Sequence, residues 1–289
     1  MRPFEILALA LLTPVIAAAQ PSPVIFSRLP APVPGEISAE TSFTSLWNPA
    51  YDDSNGRSNE LAHSLDLSRF QTSVSYGLSS AFAAGILGSY AVNRYCCLNG
   101  TAISDSSFTG GGLFVDWNPG PQGTRQGVVR LGYEVHRRPD DSVLPVSDGQ
   151  DRIFFRSDWS LFGGLSGSAR LGMRFDLDYG RPFEVAKAYF RAGAEIAPQV
   201  SVIRSRRLEI DVTGTAGYVV ATDARENGTI FRNRRSTAAR AGAEISVGWG
   251  LSRRDEITLE ARHDLGAANA LSGWRTALTY RRRFRIRGQ

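Results

Sequence analysis

From Ile37 to Phe284, apolar and polar residues alternate with a period of two, in segments of about 10 residues separated by clusters of Gly, Pro, Asn, Asp and Ser. Successive side chains of a strand point to opposite faces, so each segment predicts a β-strand with one oily and one polar side. Twelve such strands are expected, starting near Ile37, Leu65, Phe82, Phe108, Gly127, Arg152, Ala169, Ala186, Arg207, Thr237, Glu256 and Trp274. The seventh is the cleanest. Ala169, Leu171, Met173, Phe175, Leu177 and Tyr179 share one face, while Arg170, Gly172, Arg174, Asp176 and Asp178 share the other.

The connections alternate in length. Short turns (GLSS at Gly77, GGLSGS at Gly163, GLSRR at Gly250) alternate with longer polar segments, among them NPAYDDSNGRSNE at Asn48, RRPDDSVLPVSDGQD at Arg137 and TDARENGTIFRNRRS at Thr222. Short turns at one end and long loops at the other, with an even strand count, predict an all-β transmembrane antiparallel up-and-down β-barrel of about 12 strands in the bacterial outer membrane. A closed sheet is the only sheet that satisfies its backbone in lipid. Trp117, Trp159, Tyr179, Tyr218, Trp249 and Trp274 sit near predicted strand ends, as interfacial girdles do. A periplasmic β-sandwich is the alternative. It fits less well because the polar faces carry arginine on strand after strand.

Composition adds the export route. Residues 1–19 read as a signal peptide, with Arg2 ahead of the run ILALALLTPVIAAA and small residues at Ala17 and Ala19. Residues 20–34, QPSPVIFSRLPAPVP, read as a proline-rich periplasmic lead, and residues 35–289 as the barrel. No later stretch of about 20 apolar residues predicts a membrane-spanning helix. The formal net charge is +5, carried almost wholly by arginine, since Lys187 is the only lysine. For an exported protein this charge points to acidic lipid head groups or an anionic solute and away from nucleic acid. Cys96 and Cys97 are adjacent, and a bridge between them would be strained because neighbouring Cα atoms lie about 3.8 Å apart.

Three resemblances follow from particular residues. The last predicted strand, WRTALTYRRRF, resembles the aromatic-terminated C-terminal signal of outer-membrane barrels, although the chain continues as RIRGQ; it implies the barrel-insertion machinery as a partner, beside outer-membrane lipids and lipopolysaccharide. The order of signal, proline-rich lead and a strand pair reading SNELAHSLDLSRFQTSVSYGLSS is similar to uncharacterised bacterial outer-membrane β-barrels of the transporter and porin kind. That likeness supplies no functional residues. The segment DSNGRS, Asp53 to Ser58, resembles the active-site segment of outer-membrane phospholipase A, which implies Ser54 as nucleophile, position 52 as base and Asp66 as orienting residue. Position 52 is aspartate where that family has histidine, and a carboxylate is a poor base for a serine hydroxyl. NGRS is also ordinary turn chemistry.

His63, His136 and His263 are expected towards the external end, and their spacing does not suit a metal. No cofactor is expected. The chemistry concentrates instead on the polar face. Expected lumen-lining residues are Arg130, Glu134, Arg170, Arg174, Lys187, Arg191, Glu195, Arg240 and Glu244, within a longer set whose signs nearly balance. Four of them come from one hexapeptide, RAGAEI, present at Arg191–Ile196 and again at Arg240–Ile245. Arg, Gly and Glu fall on one face and Ala, Ala and Ile on the other. Twelve strands enclose more space than the 8 whose interior side chains just fill a barrel. The expected function is a narrow passive channel for small polar or anionic solutes. A closed structural or adhesion barrel with a salt-bridged interior, and a lipid or lipid A hydrolase, are the alternatives.

Overall fold

In the computed structural model the chain forms twelve antiparallel strands: β1 (Glu36–Asp52), β2 (Ser58–Gly77), β3 (Phe82–Leu98), β4 (Thr101–Trp117), β5 (Arg125–His136), β6 (Arg152–Gly163), β7 (Ala169–Gly180), β8 (Tyr189–Arg204), β9 (Leu208–Thr222), β10 (Arg235–Gly250), β11 (Asp255–Ala268) and β12 (Ala270–Arg285). The structure describes residues 34–52, 55–98, 101–119, 125–136, 151–163, 169–180, 189–205, 207–222, 235–268 and 270–285. Each strand pairs with its sequence neighbours, and β1 pairs with β12 from Glu36↔Arg285 through Trp47↔Trp274, closing the barrel. The expected signal peptide at 1–19, the lead from residue 20 to 33, Lys187 and most of the two long loops at 137 and 222 lie outside the described residues.

The wall is built inside out relative to a soluble protein. Leu259 is 52% exposed while the adjacent Glu260 is 3% exposed, and the same inversion separates Phe175 from Arg174 and Ile245 from Glu244. Only an apolar surround makes such an arrangement stable, because the outward band would otherwise place apolar side chains in water on every strand. Trp117, Trp249, Phe82 and Phe284 mark the rim at which β1 begins and β12 ends, and Trp47, Trp274, Tyr179 and Tyr218 mark the opposite side of the band. In outer-membrane barrels the rim that carries both barrel ends is periplasmic.

Three turns on that rim use one device. Ser79 Oγ accepts from the backbone N–H of Ala81 (3.2 Å) and Phe82 (3.0 Å), Ser205 Oγ from Leu208 N–H (2.9 Å), and Ser252 Oγ from Arg254 (3.0 Å) and Asp255 (3.1 Å). A serine side chain thus replaces the missing ladder partner where the strand reverses.

The strands differ in height. β1 to β4 run 17, 20, 17 and 17 residues, and β5, β6 and β7 run 12 each. About 9 to 11 tilted residues suffice to cross a bilayer, so the first four strands continue well beyond it. The segment NPAYDDSNGRSNE, expected as a long loop, is largely strand: Asp52 pairs with Ser58, and the turn between them contains Gly56 at φ 73°, a backbone conformation suited to glycine. β4 likewise starts seven residues before the expected Phe108. Above the membrane both faces of a strand meet water, so the ladder continues with no apolar face to announce it.

Candidate functional site

Among the described residues, charge converges on the inner face. Among the expected residues, Arg130, Glu134, Arg170, Arg174, Arg191, Glu195, Arg240 and Glu244 all occupy inward register positions, opposite one another or one strand apart. Lys187 lies outside the described residues.

One set of ion pairs follows the ladder between neighbouring strands. Arg130 grips Asp116 through Nε–Oδ1 (2.7 Å) and Nη2–Oδ2 (2.9 Å), and its guanidinium lies 4.0 Å over the centre of the Phe114 ring. Arg156 donates to Asp176 (2.8 Å), Arg174 to Asp158 (2.6 Å) and Arg191 to Asp178 (3.3 Å). Nearer the external end, Glu134 is held between Arg152 and His136, whose Nε2 lies 3.0 Å from Glu134 Oε2.

A second set skips strands. Arg170 on β7 reaches Glu209 on β9 (3.0 Å), Arg275 on β12 reaches Glu244 on β10 (3.0 Å), and Arg262 on β11 reaches Glu195 on β8 (3.4 Å). Arg281 on β12, by contrast, joins its two ladder partners, Glu40 on β1 and Glu256 on β11. The strand-skipping reach needs clear ground in between. Gly242 supplies it: a Cβ there would lie 3.0 Å from Arg262 Nε and 3.2 Å from Thr215 Oγ1. The glycine of the second RAGAEI copy is therefore the gap through which Arg262 crosses to the glutamate of the first. Arg174 from β7 also stands within electrostatic reach of Glu244 and Glu260 on β10 and β11, so the filling is three-dimensional.

The wall from β1 to β4 is different. Its inward positions are mostly Ser, Thr, Ala, Gly and Leu, with Glu36, Glu40, Arg69, Asp105 and Asp116 as the charged exceptions. Ser89 and Thr109 share a 2.6 Å hydrogen bond at a bulge. The inward aromatic rings lie flat: Phe114 covers Gly85 and, on the adjoining strands, Phe154 covers Gly132, each so closely that a Cβ at the glycine would collide with the ring. Leu87, Phe114 and Phe154 make the one described cluster of buried apolar side chains. Sequence reasoning missed this feature, because a glycine and a phenylalanine on adjacent strands become a stacked pair only once the register is known.

Neither a protein-family model nor a curated protein sequence matches the chain. Its backbone is similar to that of an outer-membrane channel from Pseudomonas putida F1, with a TM-score of 0.68 at 11% identity, covering 92% of this chain and 100% of that one. It is also similar to the β domain of the Bordetella autotransporter BrkA, with a TM-score of 0.54 at 10% identity, covering 86% of this chain and 100% of that one. The chain has the fold of a bacterial outer-membrane β-barrel, closed by twelve antiparallel strands. At these identities the likeness establishes architecture, and the inner face has to supply the rest.

Of the residues singled out for hydrolysis, the described ones, Asp66, His136 and His263, do not gather. Ser54 lies outside the described residues, and Asp66 stands in register with the outward Trp47. His136 faces inward beside Glu134, whereas His263 stacks on Trp274 with ring centroids 4.4 Å apart on the outer side. The side chain of His63 is outside those described. Among the described residues no group of three or more His, Cys, Asp or Glu could hold a metal.

Proposed function

We propose that the barrel is a narrow passive channel for small polar or anionic solutes. The observation that carries this reading is the sidedness of the interior. Small side chains, glycines and flat aromatic rings predominate on the inner face of β1 to β4, while the inner face from β5 to β12 confronts them with fixed charge. A ring of charged side chains at close quarters sets which ions pass. Arg240 is the inner-face arginine best placed to do so, because Arg191 is committed to Asp178, whereas Arg240 makes no ion pair among the described residues.

Planar-bilayer recording on the refolded protein tests the proposal. Unitary steps with a reversal potential displaced towards the anion are expected in a salt gradient, and Arg240→Glu should move that potential towards cation preference. A barrel that is demonstrably folded and gives no steps in either polarity would end the channel reading. One observation favours a closed salt-bridged scaffold: Arg174, Glu244, Glu260 and Arg262 are all at most 5% exposed, which is low for side chains bordering water. The same recording separates the two readings.

A further inference from the structure

The two RAGAEI copies meet at a small cavity of about 30 Å³ on the inner wall, bordered by Arg191, Gly193 and Glu195 of the first copy, Gly217 of β9, Arg240 of the second copy and Arg262 of β11. Gly193 and Gly217 account for the space. A Cβ at either would meet nothing closer than 3.4 Å, so both positions could have carried a side chain into the cavity and do not.

Its charges are unevenly committed. Glu195 is joined to Arg262, Asp176 to Arg156, and Arg191 to Asp178. Arg240 borders the same space without a hydrogen bond or ion pair among the described residues. The charged groups that act on it most strongly are Asp264, the one acid, and the guanidinium groups of Arg262, Arg275 and Arg191. Those three arginines are each paired with a carboxylate (Arg262 with Glu195, Arg275 with Glu244, Arg191 with Asp178), so Arg240 is the partly buried arginine at the cavity whose charge no ion pair offsets among the described residues. A buried charge of that kind is tolerated when an opposite charge completes it.

We infer that Arg240 forms the core of an oxyanion subsite, in which a carboxylate or phosphate oxygen enters the cavity and accepts hydrogen bonds from the Arg240 guanidinium, with Arg191 and Arg262 contributing field. Guanidinium groups suit this ligand because their planar fork matches paired oxyanion oxygens. Chloride offers no such geometry. The inference deepens the channel reading and rests on it for the route by which the anion arrives, but binding at the cavity can be measured without conductance.

The test uses the full mature chain, refolded in detergent and checked for folding by its heat-dependent gel shift. Inorganic phosphate and acetate are titrated in parallel by calorimetry on the protein in micelles, and against chloride current in planar bilayers. Saturable binding of at least one oxyanion is expected, with a matching saturable fall in chloride current. Arg240→Gln should weaken the binding at least tenfold, and Arg240→Lys should weaken it less. Arg285→Gln, on the exposed periplasmic rim, should leave it unchanged. The ratio of phosphate to acetate affinity identifies which oxyanion the site prefers. Unaltered affinity in folded Arg240→Gln, or no saturable binding of either oxyanion by the unmodified protein, overturns the subsite. Binding lost in Arg240→Gln but without unitary conductance in any variant upholds the subsite and overturns the channel.

Discussion

The two sides of the interior solve one packing problem in opposite ways. From β1 to β4 most inward side chains are small or apolar, and their aromatic ring is laid against a glycine on the next strand. From β7 to β12 the inward face is dominated by arginines, aspartates and glutamates, most of which pair along the ladder or across skipped strands. The first solution resembles an ordinary protein core and depends on shape. The second depends on completeness, since a charge taken out of water is stable only while its partner is present. A barrel wall can carry both because its strands meet only their immediate neighbours in the ladder, and inward side chains couple them more selectively.

This comparison can be broken experimentally. Arg262→Met strands Glu195 without its strand-skipping partner, and loss of one member of a buried pair costs about 3 to 5 kcal/mol; urea unfolding in micelles, followed by tryptophan fluorescence, should show this as the largest loss. The double variant Arg262→Met with Glu195→Met should recover most of it, because replacing both charges removes the unpaired one. If the double variant is no better than the single, the pair is not what holds that wall. Gly242→Ala acts on the same crossing indirectly, by pushing a Cβ against the His263 carbonyl oxygen (2.9 Å) and Arg262 Nε (3.0 Å), and a loss of about 1 to 3 kcal/mol is expected from overpacking. Gly85→Ala on the neutral side should lose a similar amount, about 1 to 3 kcal/mol, by forcing the Phe114 ring off the wall. Under the channel reading the two glycine variants should differ in one respect: pushing the Phe114 ring into the interior should lower unitary conductance, whereas displacing Arg262 should alter selectivity. Smallest is Ser89→Ala, which removes the hydrogen bond to Thr109 and should cost about 1 kcal/mol. A loss at Ser89 as large as that at Arg262 would show that the two sides are not energetically distinct.

Alternation alone was enough to read the architecture. All twelve strands fall where the period-two segments place them, the outward face of each is the apolar one, and Trp117, Trp249 and Trp274 stand on that face near its edges. The strand ends were less legible. β2 begins at Ser58 and not near Leu65, because a strand that has left the membrane needs no apolar side. The inward position of Arg174, Arg191 or Glu244 could be read from the same alternation, since a side-chain period of two assigns every residue to a face once the lipid side is known.

Partnership was not legible. The repeated RAGAEI segment reads as one wall solution used twice, yet its copies play different parts: Arg191 pairs with Asp178, Glu195 receives Arg262 across Gly242, and Arg240 is left facing a cavity. Sequence determines which face a residue occupies, because that depends on neighbours one and two positions away. Which charge meets which, and where a glycine opens a path, depends on register across several strands, and only the closed barrel decides that.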